Sequence, residues 1–101
     1  MDFALRARQV RHWLLKGLAH IYPDGLDLSE LARVLLGVDL ATTEPEIGRH
    51  CQYLKEKGYL ISEDRGTGQL RRKVFKLTAK GLDLLDGNIE ADPGVGIGEA
   101  P

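Results

Sequence analysis

A chain of 101 residues with 43% hydrophobic content is sized for one domain around a single small core. Its 14 bases and 15 acids leave a formal net charge of −1, which excludes a strongly basic protein whose charge alone would settle nucleic-acid binding. The single cysteine, Cys51, excludes an internal disulfide, and no apolar run reaches membrane-spanning length. Arg6, Arg8, Arg11 and Lys16 interrupt the start, so a signal-peptide pattern is absent and the chain reads as cytoplasmic, with no membrane partner. The charge is unevenly spread: all 14 bases fall in residues 1–86 against 12 acids, and the last fifteen residues carry three acids and no base.

Phe3, Ala7, Val10, Leu14, Leu18 and Ile21 recur at steps of three and four, which predicts a first helix from about 3 to 22 with that stripe inward. Trp13 and Leu15 lie off the stripe; Trp13 reads first as a packing residue, and the pair as the contact of a homodimer formed through this helix. Pro23-Asp24-Gly25 ends the helix in a turn. Leu26-Asp27-Leu28 is expected to pair as a short strand. Asp27 followed by Glu30 is a capping box for a second helix, roughly 28 to 36, that buries Leu28, Leu31, Ala32 and Leu35 and stops at Gly37. Val38 to Thr42 form a turn.

Thr43 with Glu46 is a second capping box, with Pro45 tolerated in the first turn, and it starts a third helix from about 44 to 57. Ile47, Cys51 and Leu54 face inward there, which leaves Arg49, His50, Gln52, Tyr53 and Lys57 outside. A basic β-hairpin follows Gly58. Its arms are Tyr59 to Asp64 and Arg71 to Leu77, rich in β-branched and aromatic residues, and its tip is Arg65-Gly66-Thr67-Gly68-Gln69-Leu70. From Arg65 to Lys80 there are six bases and no acid, a cluster suited to a polyanion such as a phosphate backbone. Thr78 caps a short fourth helix, Ala79 to Asp86. From Gly87 onward glycine and proline are dense and apolar residues sparse, so residues 87–101 read as a disordered acidic tail beside a domain of residues 1–86.

Leu28-Ser29-Glu30-Leu31-Ala32 resembles the second helix of bacterial winged-helix regulators. Tyr53-Leu54-Lys55-Glu56-Lys57-Gly58-Tyr59-Leu60 resembles the end of their recognition helix, and Arg71 to Gly81, closing on Leu77-Thr78-Ala79-Lys80-Gly81, looks like their wing return. The order and spacing, over roughly residues 10 to 86, are similar to those of the PadR, MarR and ArsR group. The resemblance implies a mainly α fold with a small β-hairpin (α+β), a winged helix-turn-helix. It also implies a small transcriptional regulator of bacterial or phage origin, with double-stranded DNA as partner.

In such a fold the third helix enters the major groove and the wing reaches the backbone. Thr42 and Thr43 are then candidate phosphate donors. Arg49 and Gln52 are candidate readers of base edges, because arginine pairs with guanine and glutamine with adenine. His50 and Tyr53 are secondary candidates, and Arg65, Arg71, Arg72 and Lys73 are expected to hold phosphate. The alternative for each of these bases is a common solvated surface charge, with the clustering of Arg65, Arg71, Arg72 and Lys73 favouring phosphate.

The sequence offers no nucleophile–base motif, phosphate loop or carboxylate pair, so no enzyme and no cofactor are expected. His50 and Cys51 are adjacent on a helix and diverge by about 100°, which makes them poor joint metal ligands. Cys51 lies on the apolar face and reads as a buried thiol. An alternative function is a winged-helix protein–protein interaction module without DNA binding. Glu44 and Glu46 favour that alternative, since acids there suit the helix dipole but repel phosphate.

Overall fold

A computed structural model describes residues 3–96. The elements in chain order are α1 (Phe3–Ala19), β1 (Gly25–Leu26), α2 (Leu28–Gly37), α3 (Glu44–Glu56), β2 (Leu60–Arg65), a 3-10 turn (Gly68–Leu70), β3 (Arg72–Leu77) and α4 (Ala79–Leu85). This is a mainly helical α+β fold, as the periodicities imply. The strands form one antiparallel sheet in the order β1-β3-β2.

α1 ends three residues earlier than the periodicity suggests. Residues 20–23 turn instead, with Asp24 N–H bonded to Ile21 O at 2.8 Å. Pro23 explains this, because its ring disfavours helical geometry at the residue before it. Phe3 and Ile21, the ends of the expected stripe, are exposed. Leu15, expected at a dimer contact, is instead fully buried beside Leu14 and Leu18. α1 is central: it touches α2, α3, α4 and β3, so its apolar surface must extend beyond one stripe. Trp13 is half-buried and packs against the same core.

The cap at α2 forms as read: Asp27 Oδ1 accepts from Glu30 N–H at 2.9 Å, and Asp27 N–H donates to Glu30 Oε1 at 3.0 Å. At α3 the Thr43 hydroxyl accepts from Glu46 N–H at 3.4 Å, while the Glu46 carboxylate points to Arg49 at 3.8 Å. Thr78 caps α4 and also donates to Gly58 O, which ties the start of α4 to the exit of α3.

In the hairpin Leu60 pairs with Leu77 and Ser62 with Phe75. Period-two alternation therefore turns Leu60, Phe75 and Leu77 toward the helices, where they join Ile47, Cys51 and Leu54 of α3. β1 lies so close to β3 that a Cβ on Gly25 would collide with Phe75 O and the Val74 side chain; only glycine fits.

The disordered tail expected from residue 87 is not what the structure shows over 87–96. After α4 the chain turns back across α1 and α3. Gly96 N–H donates to Arg8 O at 2.9 Å, Arg11 Nη1 to Gly94 O at 3.0 Å, and Tyr59 Oη to Asp92 Oδ2 at 2.7 Å. Val95 is 5% exposed and belongs to the core. Composition understates the segment because its anchorage comes from single well-placed groups and not from a periodic face. Residues 97–101 of that expected tail lie outside the described residues.

Candidate nucleic-acid interface

α3 presents two opposed faces because its apolar residues recur at steps of four and three. Ile47, Cys51 and Leu54 are wholly buried, and Arg49, Gln52 and Glu56 point to solvent. Arg49 has a side chain 70% exposed, with Glu46 as a long, weak ion-pair partner. Gln52 reaches Glu56 one turn on, at 3.4 Å. Both side chains reach outward from α3, beside the exposed acids Glu44, Glu46 and Glu56.

His50 and Tyr53 occupy the flank of α3 that faces α1. Arg11 Nε donates to His50 Nδ1 at 3.1 Å, and the Arg11 guanidinium lies 3.9 Å over the Tyr53 ring. Burial, and then the charge of Arg11, hold His50 below the usual imidazole range, so the ring is neutral near pH 7. Tyr53 is also covered by the returning chain: a Cβ on Gly94 would overlap its hydroxyl. Both residues make internal contacts, His50 through Nδ1 and Tyr53 through its ring, which the sequence could not show, because Arg11 and Gly94 are distant in the chain.

Thr42 and Thr43 stand before α3. Thr43 is exposed and capped onto Glu46 N–H. Thr42 Oγ1 donates to Leu40 O at 2.7 Å and accepts from Arg6, whose Nη2 also reaches Ala41 O at 2.6 Å. Arg6 and Arg11 bring two further guanidinium groups to this end of α3. Their presence was legible only as polar positions on the first helix.

The hairpin is less positive than its sequence. Arg65 binds Glu63 at 2.7 Å and Asp24 at 3.0 Å, and Lys76 binds the same Glu63 at 3.2 Å. Arg72 reaches the two carboxylates of the α2 capping box, Asp27 and Glu30. Arg71 is 3.5 Å from Asp64, and Lys73 stands opposite Asp64 in the strand register. The four expected phosphate holders thus divide. Arg65 and Arg72 bind the hairpin to the body, while Arg71 and Lys73 remain exposed near the tip beside Leu70, which is 82% exposed.

Among the described residues no group of His, Cys, Asp or Glu side chains is arranged to hold a metal ion, and no helix is long and apolar enough to cross a membrane. Comparison with family models, curated proteins and solved structures returns no match to this chain.

Proposed function

We propose that the chain is a winged helix-turn-helix module that binds duplex DNA and acts as a small transcriptional regulator. α3 is the element that enters the major groove, with Arg49 and Gln52 meeting base edges. Thr43 beside the helix start and Arg71 and Lys73 on the wing meet the backbone. The observation that carries this reading is the division of α3: its inner stripe is sealed into the core, and its outer stripe offers one unpacked arginine and one unpacked glutamine one helical turn apart.

The pairing of Arg65 and Arg72 with acids of the same domain favours a second reading, a protein-interaction module, because those charges are already neutralised. Fluorescence anisotropy on specific and random duplexes at two salt concentrations separates the two. Duplex binding that weakens with salt supports the first reading. Arg71→Ala with Lys73→Ala is then expected to flatten the salt slope by about one unit for each phosphate no longer neutralised, while Arg49→Ala narrows the difference between sequences. An absence of binding at low salt favours the second.

A further inference from the structure

Between the first turns of α1 and α3 runs a groove of about 460 Å³. Arg6, Arg11 and Arg49 line it, together with His50, Thr42 and Glu46. Three arginines against one carboxylate give the groove a local positive field that the near-neutral chain as a whole does not have. Ala7 and Val10 of α1 supply an apolar wall, and Phe3 stands exposed at the mouth.

We propose that this groove is a binding site for a phosphoryl group carried by a nucleotide-sized organic moiety. Guanidinium forks match phosphate oxygens, and two of the three here are held in place by protein acceptors. Arg6 is pinned through a single nitrogen, Nη2, on Ala41 O and Thr42 Oγ1. Arg11 is pinned through Nε on His50 and Nη1 on Gly94 O, and its plane is stacked on Tyr53. Such anchoring lowers the entropy lost when a ligand arrives. Because His50 Nδ1 accepts from Arg11, its ring proton sits on Nε2, and that N–H is a further neutral donor. Arg49, tethered only loosely to Glu46, swings onto the ligand and leaves the carboxylate behind. The volume exceeds that of phosphate alone and lies in the range of small-molecule sites, with Phe3 and Ala7 carrying the accessible apolar surface for a base or other apolar group.

The phosphoryl group has two sources, a free metabolite or a nucleic-acid backbone, and only the second rests on the duplex-binding reading. The test is a titration of ¹⁵N-labelled protein, at constant ionic strength, with inorganic phosphate and then with adenosine monophosphate. Saturable shifts confined to the residues of the groove, Arg6, Arg11, Thr42, Arg49 and His50, are expected, with tighter binding of the nucleotide. Arg6→Gln with Arg49→Gln is expected to bind about tenfold more weakly, because charge-assisted hydrogen bonds to the phosphoryl oxygens are removed, while Lys16→Gln, an exposed cation elsewhere, binds as the parent does. If the double variant loses its dispersed spectrum, Arg49→Gln alone, which leaves the core untouched, takes its place. Shifts that never saturate, that scatter over the surface, or that are unchanged in these variants overturn the site. A duplex displaced by phosphate assigns the site to the backbone; one that binds undisturbed assigns it to a small phosphorylated molecule. A duplex that fails to bind removes the regulator reading and leaves a saturating phosphate titration intact.

Discussion

The Tyr59 hydroxyl donates to the Asp92 carboxylate at 2.7 Å across 33 residues of sequence, and both side chains are buried. Burial works against the Asp92 charge, but the Tyr59 hydroxyl, the Gly94 N–H and the Lys57 ammonium outweigh it and hold the carboxyl below its ordinary range. The same bond, with burial as the larger cause, pushes the Tyr59 phenol up to about 12. This pair fastens the returning segment to the exit of α3.

Asp92→Ala is therefore expected to destabilise the chain by about 1–3 kcal/mol, the cost of leaving a buried partner unsatisfied. Tyr59→Phe is expected to recover part of that loss in the double variant, because it removes the orphaned hydroxyl. Urea unfolding of the four proteins measures the coupling. Strictly additive effects would mean that the bond contributes nothing of its own.

Acid should loosen the same fold in a defined window. Asp27 is brought down to about 2, first by the Glu30 N–H and then by the Ser29 hydroxyl and Arg72, with burial opposing. For Asp27 and Asp92 alike the folded pKa lies below the unfolded value, roughly 3.9. Asp27's contribution is thus fully present above about pH 4 and lost as pH falls toward 2, and that of Asp92 is likewise lost as acid protonates it. Asp27→Asn, which still caps but gives up the charge that holds Arg72, should cost about 1–2 kcal/mol at pH 7 and should flatten the loss between pH 4 and 2. An acid limb as steep as the parent's would place the titrating groups elsewhere.

Leu54→Ala and Leu15→Ala are each expected to cost roughly 2–5 kcal/mol, the range for a leucine removed from a sealed core. Both side chains are 0% exposed. For Leu15 the measurement also decides its role: a variant that unfolds at lower urea at every protein concentration is a core variant, whereas a loss seen only on dilution would make it an interface residue.

Cys51 should resist thiol reagents in the native state. The thiol is fully buried, and burial raises its pKa to about 12, so the reactive thiolate is scarce at neutral pH. Ellman's reagent is expected to release colour only after guanidinium is added. Fast reaction of the folded protein would imply frequent opening of α3 from the sheet.

The elements that sequence made legible are those fixed by neighbours. Asp27 with Glu30 and Thr78 with Gly81 each act within one turn, and the Leu60–Phe75–Leu77 alternation follows from the pleat. The misread features join residues far apart. Arg72 looks like a free hairpin base until Asp27, 45 residues earlier, is seen beside it. Tyr53 looks like an outward residue until Arg11 and Gly94 close over it. Leu15 falls outside any single stripe because α1 has neighbours on several sides. Of the candidate DNA contacts, the exposure of Arg49 and Gln52 was readable from helical phase alone; the accompanying Arg6 and Arg11 needed the fold.

One carboxylate does two jobs in this molecule: Asp27 starts α2 and also holds Arg72 of the hairpin. A polyanion that takes Arg72 for itself must first draw it from that cap. Occupancy of the hairpin and firmness of the second helix are then linked variables, and each changes the other by the same factor. The hairpin becomes a lever with its fulcrum at Asp27. A ligand gripping its outer end would report its arrival in the hydrogen exchange of Glu30 and Leu31, well away from the residues it touches.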